Sequence, residues 1–170
     1  MLPKWIQSEA KKIFTIGEIN EETKNEFKSF LRETKDNQPI ELYFNSWGGN
    51  TYIGKVMGTF IYCIKKRHPS RRFIHRGNIA ASAAFRLFIR GDERIVTKDS
   101  IIQPHLPEPN EQGNTITHES LLKERKSVLL MIKGTLPLVT EEDITRYNNQ
   151  PLPLEFMVNK NIVTKVVDQF

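Results

Sequence analysis

Residues 39–50 read Pro39-Ile-Glu-Leu-Tyr-Phe-Asn-Ser-Trp-Gly-Gly-Asn50, and the pattern changes period in the segment that follows, Tyr52 to Arg67. Ile40, Leu42 and Phe44 alternate with other residues and predict a strand with one apolar face. Ile53, Val56, Met57, Phe60, Ile61 and Ile64 recur at helical spacing and predict a buried helical stripe. Between them, Gly48-Gly49 predicts a turn that takes positive φ or passes close to another part of the chain.

The alternation continues in both directions. Upstream, Lys12-Ile-Phe-Thr-Ile-Gly17 reads as a strand, and Glu21 to Glu33 as a helix with Phe27, Phe30 and Leu31 on one side. Downstream, Arg72-Phe-Ile-His-Arg76 reads as a strand, Gly77-Asn78 as a turn and Ile79 to Ile89 as a helix rich in small residues. Arg94 to Thr97 and Ser100 to Gln103 read as two further strands, leading into the loop Pro104-His-Leu-Pro-Glu-Pro109. His118 to Lys133 is a long helix stopped by Gly134 and Pro137, and Thr140 caps another helix with Asp143 three residues on. Asn161 to Val167 reads as a closing strand. Strands alternating with helices predict an α/β domain with largely parallel pairing. No repeat, low-complexity tract or Gly/Ser linker divides it, so residues 1–170 read as one domain.

Composition narrows the function classes. With 170 residues, 38% of them hydrophobic, the chain is long enough for a core without disulfides or structural metal. Its apolar stretches fall short of the roughly 20 residues needed to cross a bilayer. The N-terminal stretch carries no apolar run of signal-peptide length, and Cys63 is the one cysteine, which together predict a cytoplasmic protein. The net charge of +5 concentrates between Lys65 and Arg76. Without interleaved aromatics or a glycine-rich contact loop, this patch reads as a solvated helix end rather than a nucleic-acid site. His68, His75, His105 and His118 make no His-x-x-x-His spacing, so neither metal nor cofactor is expected.

Three segments carry the parts of an acyl-transfer site: the strand-terminal Gly48-Gly49, the turn with Ser82, and the loop with His105. A serine hydroxyl needs a base to take its proton, and a neutral imidazole suits that task. The N–H of Ala83 and one from the glycine pair would form a two-donor oxyanion hole, worth roughly 3–4 kcal/mol per donor toward a tetrahedral intermediate.

Glu41-Leu-Tyr-Phe-Asn-Ser-Trp-Gly-Gly49, Ala80-Ala-Ser-Ala-Ala-Phe85 and Asp99-Ser-Ile-Ile-Gln-Pro-His-Leu-Pro107, in that order, resemble the ClpP family, the proteolytic subunits of Clp protease. That family has a strand ending in Asn-Ser-Pro-Gly-Gly, an Ala-Ala-Ser-Met nucleophile segment and a His-Gln-Pro loop. The resemblance runs from about Ile13 to Val167. It implies the ClpP/crotonase-type fold, a twisted β-sheet core with surrounding helices, in which His118 to Lys133 is the protruding handle helix. It implies Ser82 as nucleophile, His105 as general base, and Gly49 and Ala83 as oxyanion-hole donors. The implied partners are copies of this chain or a paralogue in a ring, polypeptide substrates, and an unfoldase ATPase of the Clp class.

The chain departs from the family pattern in several places. Trp47 replaces a proline, Ala83 replaces the methionine after the serine, and Gly77 lies five residues ahead of Ser82 rather than four. Pro109-Asn110 replaces a glycine pair, although Gly113 still aligns. The segment before Ile13 has no match to the family's axial-loop segment. At the third triad position, one alignment brings the family's aspartate onto Asn149, beside Asn148, and another onto Pro151. Asparagine can hold an imidazole's tautomer but cannot stabilise the imidazolium by charge. The resemblance therefore implies a ClpP-like serine endopeptidase subunit, with a catalytically inactive ring subunit, serving assembly or partner binding, as the alternative. A crotonase-like acyl-CoA enzyme needs no serine–histidine pair, so both matches argue against it.

Overall fold

The computed structural model describes residues 12–109 and 117–170. Five strands form one sheet in sequential order, every neighbouring pair parallel: β1 (Ile13–Ile16), β2 (Ile40–Ser46), β3 (Phe73–Ala81), β4 (Glu93–Gln103) and β5 (Lys165–Val166). The helices are α1 (Glu21–Glu33), α2 (Thr51–Arg67), α3 (Ala83–Phe88), α4 (His118–Thr135), α5 (Glu141–Arg146) and α6 (Leu154–Asn159). Each strand adds on the same side of the previous one. Crossovers of one hand then place the intervening helices on one face of the sheet, and α1 packs on α2 and α2 on α3.

That face holds the core. Ile40, Leu42 and Phe44 of β2 and Phe73 and His75 of β3 point beneath the helices, packed with Phe27, Met57, Ile61, Phe85 and Phe88. The opposite face carries Glu41, Tyr43, Asn45, Ile74, Arg76 and Asn78. There the Arg76 guanidinium lies 3.6 Å from the Glu41 carboxylate, and Phe170 meets the Tyr43 ring edge-on.

Local chemistry sets the helix starts. The side chains of Asn20 and Asn50 accept from the N–H groups of Thr23 and Ile53, capping α1 and α2. Thr140 and Asp143 form a reciprocal capping box on α5. The basic residues near the end of α2 divide between roles: Lys65 donates to Asp92 at 2.6 Å and to the Arg90 carbonyl at 2.7 Å, and Arg72 pairs with Glu93. The buried Arg71 guanidinium binds the carbonyls of Thr34, Lys35 and Gln38, clamping the loop before β2.

The structure corrects four local readings. Gly77-Asn78 is no turn: β3 runs through it with a register shift, and α3 begins only at Ala83. A Cβ at Gly77 would stand 2.8 Å from both Ile102 Cδ1 and Phe88 Cε2, so close packing rather than chain reversal requires glycine there. The two segments at 94–103 are one strand, with Gly77 opposite Val96 and Ile79 opposite Ile101, the excess being looped out around the Thr97 N–H to Ser100 Oγ hydrogen bond. Finally, the closing strand is only Lys165–Val166, preceded by α6, because the Arg94 side chain takes the Asn161 and Ile162 carbonyls at 2.8 and 2.7 Å. The stretch before Lys12, Asn110 and Gly113 lie outside the described residues. Among those residues no helix is long and apolar enough to cross a membrane.

His75 is fully buried, its Nδ1–H donating to the Phe88 carbonyl at 2.8 Å. Burial, reinforced by Lys65 and Arg94 and opposed by the Phe88 carbonyl and Asp92, lowers its pKa from 6.5 to about 3. Between those values the unfolded chain binds a proton that the folded chain refuses, so stability falls as pH drops through the window. From pH 7 to pH 5 this group alone removes about 2 kcal/mol. Urea midpoints at the two pH values should show that loss in the wild type and not in His75→Gln; equal pH dependence in both would contradict the assignment.

Candidate active site

In an all-parallel sheet every strand delivers its carboxyl end to the same edge, where open α/β sheets place their sites. Here β2 ends at Ser46 and continues into Trp47-Gly48-Gly49, β3 ends at Ala81 and continues into Ser82, and β4 ends at Gln103 and continues through Pro104 to His105. The register sets Ser46 opposite Ala80 and Ala81 opposite Gln103. The Ser82 N–H then donates to the Gln103 carbonyl at 3.1 Å, one rung past the ladder.

Ser82 stands on a sharp strand-to-helix turn. Its φ of 54° and ψ of −122° are unusual for a residue with a side chain, and it caps α3 without a side-chain hydrogen bond. Such strain costs about 1–3 kcal/mol and persists only where the surroundings over-determine it. The consequence is chemical: Oγ is turned to His105 rather than spent on the helix. His105 Nδ1 lies 3.3 Å from Ser82 Oγ.

The glycine pair is pressed between two backbones. An isolated parallel bridge joins Gly49 to Ile19, with the Ile19 N–H donating to the Gly48 carbonyl at 2.9 Å and the Asn50 N–H to the Ile19 carbonyl at 2.8 Å. This pattern turns the Gly49 N–H away from Ile19. A Cβ on Gly49 would stand 2.4 Å from the Ile19 oxygen, and one on Gly48 would stand 2.8 Å from Ser82 Cβ and 3.3 Å from the Ala83 nitrogen. Both glycines have positive φ, 109° and 142°. Gly48-Gly49 and Ala83, separate in sequence, thus lie beside one another at Ser82. Trp47, which stands where the family has proline, is 62% exposed.

The loop 104–108 is fixed from three directions. Arg86 Nη2 of α3 donates to the His105 carbonyl at 3.2 Å, and Arg125 Nε of α4 to the Pro107 carbonyl at 2.7 Å. The turn after α5 supplies the third hold, with Asn148 Oδ1 accepting from the Leu106 N–H at 2.8 Å and the Asn149 N–H donating to the Pro104 carbonyl at 3.0 Å. The Asn149 side chain meets a residue that the sequence did not single out: its Nδ2 donates to Glu108 Oε1 at 2.8 Å. That same oxygen lies 3.6 Å from His105 Nε2. Arg86 and Arg125 also escaped the sequence reading, since each acts on a backbone carbonyl with no local pattern to announce it.

Over residues 6–146 the sequence matches the family described as Clp protease. The chain belongs to the Clp protease family. A search of curated proteins finds no match. Among solved structures, ClpP1 from Listeria monocytogenes is similar with a TM-score of 0.70 and 21% sequence identity, covering 93% of this chain and 92% of that one. The likeness establishes the ClpP fold, a five-stranded sheet flanked by helices.

Glycine at position 49 meets two demands at once, a positive φ and the nearby Ile19 backbone. Gly49→Ala should therefore lose at least about 2 kcal/mol in chemical denaturation. Gly17→Ala, where an added Cβ meets nothing within 4 Å, should change stability by less than about 1 kcal/mol. Equal stability of the two variants would refute the packing described for the pair.

Proposed function

We propose that this member of the Clp protease family is a serine endopeptidase subunit acting from inside a ring of copies of itself or a paralogue. The observation that carries the reading is the approach of His105 Nδ1 to Ser82 Oγ, 3.3 Å, between residues 23 apart in sequence. Ser82 Oγ attacks the peptide carbonyl as its proton passes to His105. The developing oxyanion accepts hydrogen bonds from the Gly49 and Ala83 N–H groups. The proton then moves from the imidazolium to the leaving amine, and water repeats the sequence on the acyl-enzyme. Asn149 supports the site at the third position through the His105 loop.

Apolar side chains on α4 favour assembly. Leu122 and Leu130 are exposed, and α4 and α5 flank a groove of about 560 Å³, which includes Leu106 and Asn148 beside the His105 loop. Apolar surface of this kind on a handle helix suits burial against another subunit. A Clp-class unfoldase ATPase as feeder, polypeptides as substrates and the cytoplasm as compartment complete the reading, on the strength of family membership.

A fluorophosphonate probe tests the chemistry, applied to each oligomeric fraction separated by size exclusion. Labelling should map to Ser82, vanish in Ser82→Ala and slow by about 10³-fold or more in His105→Ala. Absence of Ser82-dependent labelling in every fraction would favour the inactive ring subunit instead.

A further inference from the structure

The geometry points to Glu108 as the carboxylate that positions His105, in place of the aspartate missing from the third position, with Asn149 as its clamp. The inference rests on the Ser82–His105 reading above and deepens it. In the familiar serine-protease arrangement, the imidazole takes the serine proton at Nε2 and presents Nδ1–H to a carboxylate. In this chain the two nitrogens exchange tasks: Nδ1 faces Ser82 Oγ at 3.3 Å, and Nε2 faces Glu108 Oε1 at 3.6 Å.

Asn149 brackets the histidine from both sides. Its backbone N–H holds the carbonyl of Pro104, immediately before His105, and its side-chain amide holds Glu108, three residues after. The donor is an amide, so it binds the Glu108 carboxylate without neutralising it. Position 149 has φ of 60°, a conformation that asparagine tolerates better than most residues with side chains. The cations nearby, Arg86 and Arg125, are bound to the carbonyls of His105 and Pro107. They fix the loop, and Glu108 presents a carboxylate to the ring. The 3.6 Å separation exceeds a hydrogen bond, as catalytic contacts often do before substrate closes the site.

The proton balance follows from this layout. As the Ser82 Oγ–carbon bond forms, the hydroxyl proton moves to Nδ1, leaving an imidazolium whose Nε2–H points at the ionised Glu108. As the peptide C–N bond breaks, the Nδ1 proton leaves with the amine. Glu108 stays ionised throughout and touches neither substrate nor the reacting atoms, so it is a positioning residue.

The test pairs two readouts on the full chain. In Glu108→Gln, fluorophosphonate labelling of Ser82 should slow roughly 100-fold, less than the roughly 10⁴-fold loss on neutralising a buried triad aspartate, because Glu108 is 41% exposed. Glu108→Asp should restore most of the rate. Solid-state NMR with ¹⁵N in the histidine rings, His105 being assigned by its loss in His105→Gln, should find the proton on Nε2 in Ser82→Ala and a redistributed tautomer when Glu108→Gln is added. Unchanged labelling and an unchanged tautomer in Glu108→Gln would overturn the inference. So would wild-type labelling in Glu108→Gln combined with faster labelling in Asn149→Asp, which would assign the role to position 149. If Ser82 never reacts, the peptidase reading fails alone, and the tautomer measurement still decides whether Glu108 and His105 are paired.

Discussion

The hydrogen bond from the Ser82 N–H to the Gln103 carbonyl, at 3.1 Å, extends the β3–β4 ladder one rung beyond its last strand pair. Everything chemical depends on that rung. It fixes the turn that exposes Ser82 against the strand whose continuation carries His105. One residue of slip would reverse which face each side chain occupies, so register is a condition of the site as well as of the sheet. The looped-out residues between Val96 and Ile101 keep the two strand ends level.

The second constraint is backbone crowding at the carboxyl edge. Ile19, Gly48-Gly49 and the turn at Ser82 lie so close that side chains on either glycine would collide with backbone or with Ser82 itself. The same crowding that excludes a Cβ sets Gly48 directly against the Ala83 nitrogen. The strained dihedrals of Ser82 belong to this arrangement, held by the β-ladder on one side and the buried α3 on the other. Rigid secondary structure thus aims groups that would be poorly placed on free loops. The arginines extend the principle by tying the His105 loop to α3 and α4.

How far this could be read from the chain varies with the range of the forces involved. Local periodicity located α1, α2 and α4, and the Thr140–Asp143 spacing foretold the cap on α5. The ordered glycine pair, serine and histidine pointed to the fold and to the residues that meet at the carboxyl edge. One misread segment was Ile79 to Ala81, whose alanines favour helix; pairing with Ile101, Ile102 and Gln103 holds it as strand. Tertiary pairing overrode propensity there. Glu108 had no visible signal, because its meaning comes from Asn149, 41 residues away in sequence, and from a loop path that no periodicity encodes. The aligned third position falls near residue 149, whereas a carboxylate facing the imidazole comes from the histidine's own loop.

The central claim is that three strand ends converge on one oxyanion-stabilising serine site. A crystal structure of the protein after reaction with a fluorophosphonate tests it directly. The account predicts phosphorus bonded to Ser82 Oγ and a phosphonyl oxygen about 2.7–3.1 Å from both the Gly49 and Ala83 nitrogens. An adduct on Ser82 whose oxygen points away from those two N–H groups, or a crystal with unmodified Ser82 beside intact probe, would contradict it.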